Sequence, residues 1–268
     1  MNKILLNIIK SIKDPSEFFY GLIRMHGKTM AGLVKKSAFY LQGQMDLQPK
    51  SLWYKKDFID ITHGYFPKND CIERTITDIE PWDTTRRDML VLFLRTITEN
   101  NIPGDFAEVG VYKGSTAKLL HKYAPERKLH LFDTFAGFKE RSVNAEKSLT
   151  GLSISQNHFA DTNLESVQKY IDGNANVSYY QAYFPDILPT SFDSMNFSFV
   201  HLDADLYEPT FKGLEMFYPK MSTGAMIVVH DYNSWIGARE AVDTFFRDKQ
   251  EIPIPMPDKS GSVLIVKL

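Results

Sequence analysis

A short apolar run that ends in a turn bracketed by glycines, at residues 106–116, constrains the fold more than any other feature. The segment reads Phe-Ala-Glu-Val-Gly-Val-Tyr-Lys-Gly-Ser-Thr. Gly110 and Gly114 allow the backbone to bend sharply. The helix predicted from Ser115 directs its first free N–H groups back at the turn. The pattern is typical of a nucleotide-type site at the carboxyl end of a strand.

The turn does not carry the dinucleotide-binding pattern G-x-G-x-x-G. Counted from Gly110, Tyr112 and Ser115 stand where the second and third glycines would be. Two interpretations therefore stay open at this point: a nucleotide-type ligand site, or a strand-to-helix turn that binds nothing.

From this turn onward, strand-like and helix-like segments alternate. We predict strands at 106–109, 128–132, 177–181, 197–202, 225–229 and 262–266, and helices at 115–123, 164–171, 208–218 and 237–249. This alternation favours an α/β fold with a parallel sheet covered on both faces. A polar turn at 259–261 predicts a terminal hairpin and an antiparallel last strand, which is uncommon among dehydrogenases.

The chain before the first strand is helical in tendency. We divide it into an N-terminal helical extension at 1–75 and a main domain at 76–268, which opens with a helix at 84–101 that Thr84 or Thr85 caps. An aromatic-rich extension of this size suggests a homo-oligomer in which it covers a pocket of its own or a neighbouring subunit. Plain helical packing is the alternative.

Composition excludes several classes of protein. The formal net charge of -2 indicates no nucleic-acid surface. The single cysteine, Cys71, rules out a disulfide framework and fits a reducing, cytoplasmic compartment. No apolar run approaches the roughly 20 residues that span a bilayer, so we expect no transmembrane segment.

Acidic residues follow the second, fourth and fifth predicted strands. Asp133, about 20 residues after the glycine turn, stands where a carboxylate accepts both hydroxyl hydrogens of a ribose; a turn-forming aspartate is the alternative. Asp203, His230 and Asp231 follow the other two strands, with Asp205 close by.

Because the ends of parallel strands share one edge of a sheet, these side chains are expected to converge. Carboxylates held close together repel one another unless a cation or a proton lies between them. The cluster therefore predicts a Mg²⁺ site, or a site for Mn²⁺ or another transition metal if His230 is a ligand. The alternative is that Asp205 or Glu208 caps the next helix and Asp231 begins a turn.

Two further histidines have different expectations. His158 lies in a polar insertion that could form a lid, where its side chain could act as a general base; a surface histidine is the simpler interpretation. His201 lies inside an apolar strand and is predicted to be a core histidine that is hydrogen-bonded to a neighbour.

Five motifs in this order resemble the macrocin O-methyltransferase family of S-adenosylmethionine-dependent enzymes, of the TylF/MycF type. They are the segments 108–116, 132–137, 183–189, 202–208 and 230–232, and the resemblance runs from about residue 103 to the C-terminus. It implies a class I methyltransferase fold: a Rossmann-like, seven-stranded, mostly parallel sheet with an antiparallel last strand.

The resemblance also implies a site and an activity. The turn would hold the methionine part of S-adenosylmethionine and Asp133 the ribose, Mg²⁺ would bind at Asp203, His230 and Asp231, and the acceptor would be a sugar hydroxyl of a small molecule or saccharide. The implied cofactor-binding residues are Glu108, Gly110, Tyr112, Gly114, Ser115, Thr116, Asp133, Thr134 and Asp203.

Position 230 departs from the family, which usually has an acidic residue there. Either His230 binds the metal, or water replaces one protein ligand, or the reaction needs no metal and His230 is the base. We expect direct methyl transfer in which Asp203, His230 or His158 takes the hydroxyl proton. A nicotinamide-dependent sugar-modifying oxidoreductase and a non-catalytic interaction module are the alternative functions.

Overall fold

The computed structural model describes Ile79 and residues 83–268. In chain order its elements are α1 (Thr84–Glu99), β1 (Asp105–Val109), α2 (Ser115–Tyr123), β2 (Leu129–Asp133), α3 (Glu140–Thr150), α4 (Leu164–Ile171), β3 (Val177–Gln181), β4 (Phe197–Leu202), α5 (Tyr207–Phe217), β5 (Met221–Val229), α6 (Ile236–Phe246), β6 (Ile254–Pro255) and β7 (Val263–Val266), with short 3-10 turns at Phe192–Ser194 and Tyr218–Lys220.

The strands form one seven-stranded sheet in the order β3-β2-β1-β4-β5-β7-β6. β1 pairs in parallel with β2 and β4, and β4 pairs in parallel with β5. β7 runs antiparallel to both β5 and β6. The predicted class I methyltransferase topology, with its antiparallel last strand, is confirmed.

The core lies on both faces of the central strands. Every side chain of β4 is buried, as expected for a parallel strand with helices on both sides. Phe197 packs edge-on against Phe217 of α5 at 4.9 Å between ring centroids, and Phe106 of β1 packs edge-on against Phe199 at 5.9 Å. The parallel pairing of β1 and β5 with β4 places the carboxyl ends of these three strands at one edge of the sheet.

Several sequence predictions about single elements were wrong. Asp83, not a threonine, caps α1, because its carboxylate accepts from the Arg86 amide at 3.1 Å. The sequence analysis did not predict helix α3. Its buried residues are Ser142, Val143 and Glu146, so the helix has no apolar periodicity. The short strand β6 was also not predicted.

The predictions for the N-terminal extension at 1–75 lie outside the described residues, including those on Cys71. Among the residues that the structure describes, no helix is long and apolar enough to cross a membrane.

The buried carboxylate of Glu251 links the end of the chain to the 3-10 turn after α5. It accepts a hydrogen bond from Lys267 Nζ at 2.8 Å and another from the Tyr218 hydroxyl. Burial alone would raise the pKa of Glu251, but the hydrogen bonds from Lys267 and Tyr218 outweigh it and lower the pKa to about 2. An unfolded glutamate titrates near pH ~4.3. This carboxylate therefore stabilises the fold above that pH, and its contribution is lost as the pH falls toward the folded value.

We expect Glu251→Gln to lower the melting temperature at neutral pH by several degrees, the effect of about 1–3 kcal/mol for one lost charged hydrogen bond. The difference from the wild type should shrink as the pH falls below ~4. Thermal unfolding followed by circular dichroism across this pH range measures it, and a difference that stays constant with pH would contradict the assignment.

Candidate active site

A cavity of about 260 Å³, partly open to solvent, lies at the carboxyl ends of the parallel strands. The turn after β1, the end of β2 and the loops after β4 and β5 all contribute to its wall. Its residues include Arg86, Gly110, Tyr112, Asp133, Thr134, Phe138, Ser142, Phe159, Tyr183, Phe184, Asp203, Asp205, His230 and Asp231. This is the crevice in which open α/β sheets bind ligands.

Both glycines of the β1–α2 turn have left-handed backbones, with φ 85° at Gly110 and 84° at Gly114. A Cβ atom at Gly110 would collide with the carbonyl oxygen of Asp203, and one at Gly114 would lie 3.1 Å from the side chains of Val167 and Ile171. Of the two, only Gly110 lines the cavity. The turn predicted at these two glycines is present. The contacts that exclude a side chain at each of them are contacts with the protein itself rather than with a ligand.

We expect Gly110→Ala to destabilise the fold strongly and to abolish cofactor binding. Left-handed strain contributes about 1–2 kcal/mol and the collision with the Asp203 backbone another 1–3 kcal/mol. Gly151→Ala is the matched control, because Gly151 has φ 76° but nothing within 4 Å of an added Cβ. Urea unfolding measures both, and equal losses would contradict the packing argument.

The Asp133 carboxylate is held by three backbone amides. Its Oδ2 accepts from the Val111 and Tyr112 amides at 2.6 and 2.9 Å, and its Oδ1 accepts from the Phe135 amide at 2.6 Å. The turn-forming role is therefore present. Each carboxylate oxygen offers two acceptor positions, so Oδ1 keeps one for a ligand hydroxyl. Asp133 and Thr134 both line the cavity.

The predicted convergence of Asp203, His230 and Asp231 is confirmed. One ligand atom from each lies within 4.8 Å of the others. His230 Nδ1 lies 2.8 Å from Asp203 Oδ1 and 3.2 Å from Asp231 Oδ2. His230 and Asp231 are buried, and the Asp203 side chain is 23% exposed toward the cavity.

The protonation states in this cluster differ from residue to residue. Burial and the nearby charge of Asp203 raise the pKa of Asp205 well above its usual range, and the carboxyl of Asp205 shares a hydrogen bond with Asp231. Burial also acts to raise the pKa of Asp203, but its hydrogen bond with His230 and the charge of Arg86 hold it well below the usual range. Of these two carboxyl groups, Asp205 therefore has the greater tendency to hold a proton, and Asp203 favours the ionised form.

Arg86 of α1 lies in the cavity wall and contacts both His230 and Asp203. Its Nη1 lies 2.8 Å from His230 Nε2 and 3.8 Å from Asp203 Oδ2. Since a guanidinium only donates, Nε2 accepts, and Nδ1 carries the proton that faces the carboxylates.

The contact with Arg86 also decides the charge of His230. Burial and the charge of Arg86 act to lower the pKa of His230, whereas the charge of Asp203 and the hydrogen bonds to Asp203 and Asp231 act to raise it; the contact of Arg86 with Nε2 decides between them. A doubly protonated ring would direct an N–H at the Arg86 donor, so the contact requires the neutral ring. The cluster then keeps a net negative charge that a further cation can balance.

Other predicted residues lie away from the cavity. Glu108, Gly114, Ser115 and Thr116 do not line it. The buried Glu108 instead lies 3.0 Å from Nδ1 of His201, which confirms His201 as a core histidine; burial lowers the pKa of His201 to about 3.

His158 is exposed and does not line the cavity. Its ring stacks on Phe138 at 6.0 Å and packs edge-on against Phe159 at 4.3 Å and Trp235 at 5.9 Å. The insertion thus contributes aromatic side chains to the rim, while its histidine faces outward.

Sequence reasoning missed several residues of the cavity wall, among them Arg86, Ser142 and Tyr183. Ser142 Oγ donates to the Tyr183 hydroxyl at 2.6 Å. The signal for Tyr183 was its place in a motif of the resemblance. Arg86 and Ser142 lie on helices far from the strand ends in sequence and carried no such signal.

The family model described as Macrocin-O-methyltransferase (TylF) matches residues 83–262. The demethyldecarbamoylnovobiocin O-methyltransferase of Streptomyces niveus is 27% identical over 161 residues, 54% of this chain and 59% of that protein. The 8-demethyl-8-(2,3-dimethoxy-alpha-L-rhamnosyl)-tetracenomycin-C 4'-O-methyltransferase of Streptomyces olivaceus is 23% identical over 264 residues, 93% of this chain and 92% of that protein. The mycinamicin III 3''-O-methyltransferase of Micromonospora griseorubida is 27% identical over 166 residues, 57% of this chain and 64% of that protein.

The solved structure of the O-methyltransferase NovP has the same fold, with a TM-score of 0.62 at 22% identity over 80% of this chain and 88% of that one. Fold and family model together define an S-adenosylmethionine-dependent O-methyltransferase. The chain belongs to the macrocin O-methyltransferase family. This membership decides against the nicotinamide-dependent oxidoreductase and the non-catalytic module.

Proposed function

We propose that this protein transfers the methyl group of S-adenosylmethionine to a sugar hydroxyl of a natural product, polysaccharide precursor or nucleotide sugar, with the assistance of a divalent metal ion. The observation that carries the proposal is the cluster of Asp203, His230 and Asp231 in the same cavity as the Gly110 turn and Asp133. One cavity thus offers donors for a cation next to a place for the cofactor.

The cofactor fits the side of the cavity formed by β1 and β2. Gly110 and Tyr112 expose the turn backbone there, and Asp133 Oδ1 keeps an acceptor position for a ribose hydroxyl. S-adenosylmethionine supplies an electrophilic methyl group on sulfur. Because that group is already activated, the main contribution of the protein is to align it with the acceptor.

The donor set fits a divalent metal. Two carboxylates and an imidazole offer oxygen and nitrogen atoms within 4.8 Å of one another, and such donors hold divalent ions once the nitrogen that faces the ion has lost its proton. Asp203, His230 and Asp231 would hold the ion, which would orient the acceptor and lower the pKa of its hydroxyl. The nitrogen ligand favours Mn²⁺ or another transition metal over Mg²⁺.

Asp203 is the residue that we assign to accept the hydroxyl proton. Oδ1 of Asp203 is bonded to His230, whereas its Oδ2 has the longer 3.8 Å ion pair with Arg86. A carboxylate of low pKa is a weak base for an alcohol, so the acceptor hydroxyl must be acidified before Asp203 Oδ2 can take its proton. This requirement supports the metal-assisted reaction over one that relies on Asp203 alone.

The acceptor class follows from the cavity wall and from the relatives. Phe138, Phe159 and Phe184 provide an apolar surface beside the acidic cluster, which suits the faces of a sugar ring. One of the relatives is named for a sugar-bearing substrate, a rhamnosyl tetracenomycin. A deoxysugar glycoside is therefore the first acceptor to test.

The contact between Arg86 and His230 favours a second candidate, methyl transfer without a metal. A neutral imidazole has one free lone pair, and Arg86 already engages it. A metal ion and Arg86 therefore compete for His230. If Arg86 holds its place during turnover, the arginine itself supplies the positive charge.

Calorimetric titration separates these possibilities. S-adenosylmethionine, and not NAD, should bind to EDTA-treated protein, and Mn²⁺ should bind to the cofactor complex at about one ion per chain. A separate assay in which methyl transfer proceeds equally with and without EDTA would favour the metal-free reaction. Failure to bind S-adenosylmethionine, whether or not Mn²⁺ is present, would reject the proposed function.

A further inference from the structure

The two helices that follow the acidic loops have no side-chain cap from their own loops. Helix α5 begins after Leu206 and helix α6 after Trp235, and neither residue caps its helix with a side chain. The alternative in which Asp205 or Glu208 caps α5 is not found, since the N-cap residue of α5 is Leu206. The first N–H groups of a helix nevertheless need acceptors when they are buried.

Glu146 of α3 supplies the missing acceptor to both helices. Its side chain is buried, with 2% of the residue exposed. Its Oε2 accepts from the Tyr207 amide at 2.9 Å, and its carboxylate lies against Gly237 of α6. Burial raises the pKa of Glu146, and the backbone amides of Tyr207 and Gly237 both act to lower it. The absence of a side chain at Gly237 is required, because an added Cβ would collide with both carboxylate oxygens.

We propose that Glu146 is a positioning residue that bridges the N-termini of α5 and α6 and thereby fixes the distance between the loop of Asp203 and the loop of Asp231. The inference rests on the proposed function, since it concerns the cation cluster of that reaction. Glu146 does not line the cavity. It acts through the backbones of Tyr207 and Gly237.

The bridge lies close to the cluster along both chains. Tyr207 follows Asp203 by a short loop, and Gly237 follows Asp231 by another. Asp205 and Asp231 both have a left-handed backbone with φ 60°, a conformation that persists only where the surrounding structure enforces it. A carboxylate between two positive helix ends is favourable on electrostatic grounds. It can therefore hold the loops before α5 and α6 in their observed conformations.

The test compares Glu146→Gln with Val143→Ala, a buried position on the same helix with no polar contact to either loop. Val143→Ala controls for a general loss of stability in α3. We expect Glu146→Gln to weaken Mn²⁺ binding, measured by electron paramagnetic resonance, by about tenfold or more, with S-adenosylmethionine binding within about twofold. Gly237→Ala, which displaces the carboxylate from α6, should weaken Mn²⁺ binding in the same way and serves if Glu146→Gln does not fold.

Hydrogen exchange provides a readout that needs no metal. The segments 203–211 and 231–240 should both exchange faster in Glu146→Gln, while 110–118 should not change. Unchanged Mn²⁺ affinity at a stability matched to Val143→Ala, or faster exchange in only one of the two segments, would overturn the proposal. If the wild type binds no Mn²⁺, the metal part of the proposed function fails, and the exchange result alone decides on Glu146.

Discussion

Asp203→Asn should reduce kcat by about 10³-fold or more, with the fold intact. The substitution removes both a metal ligand and the group that accepts the hydroxyl proton, and general-base catalysis alone contributes about 10²–10⁴-fold. The amide keeps the shape of the side chain but loses its negative charge, so His230 Nδ1 loses a charged partner at 2.8 Å. Binding of S-adenosylmethionine should stay within a few-fold, since Asp133 and the turn are unchanged.

Single-turnover methyl transfer and calorimetry together measure this effect. Asp193→Asn is the matched control, because Asp193 is fully exposed and lies outside the cavity. An Asp203→Asn enzyme that retains more than about a tenth of the wild-type rate would show that Asp203 is neither ligand nor base, because loss of either role costs more than that.

Substitution of His230 should change which metal the protein prefers. In the wild type the imidazole nitrogen favours Mn²⁺ over Mg²⁺, because Mg²⁺ prefers oxygen ligands. His230→Asp replaces the nitrogen by a carboxylate oxygen, the residue type that the resemblance to the family leads us to expect at this position. We expect the ratio of Mn²⁺ to Mg²⁺ affinity to fall by about tenfold or more in this variant.

The carboxylate at position 230 would also give Arg86 a charged partner in place of His230 Nε2. We therefore expect Arg86 to remain beside the cluster in this variant. His230→Ala is the control: it should weaken both metals without a shift toward Mg²⁺. An identical metal preference in the wild type and His230→Asp would show that His230 is not a ligand and would favour the metal-free reaction.

The sequence predicted the parts of the fold that depend on local pattern. The ends of β1, β4 and β5 are apolar runs that stop at Gly110, Asp203 and His230, and parallel strands end at one edge of the sheet. The convergence of Asp203, His230 and Asp231 followed from that rule alone, before any distance was known.

The parts that were missed depend on contacts between distant segments. Arg86 and His230 are 144 positions apart, and no local pattern links them. Helix α3 turns a mostly polar face inward, because Glu146 binds backbone amides rather than apolar side chains. The sequence offered only the nearby residues Asp205 and Glu208 as alternative caps for α5, since a local pattern cannot identify an acceptor that lies 61 positions away.

Methyl transfer from S-adenosylmethionine labelled in its methyl group, to a panel of deoxysugar glycosides, decides between the reactions considered for this cavity. The enzyme is first treated with EDTA, and Mn²⁺ or Mg²⁺ is then restored. We predict label on a sugar oxygen only when a metal is present, with Mn²⁺ more effective than Mg²⁺. Equal labelling with and without metal would contradict the metal-assisted reaction. Failure of S-adenosylmethionine to bind, or label on an atom other than oxygen, would contradict O-methyl transfer itself.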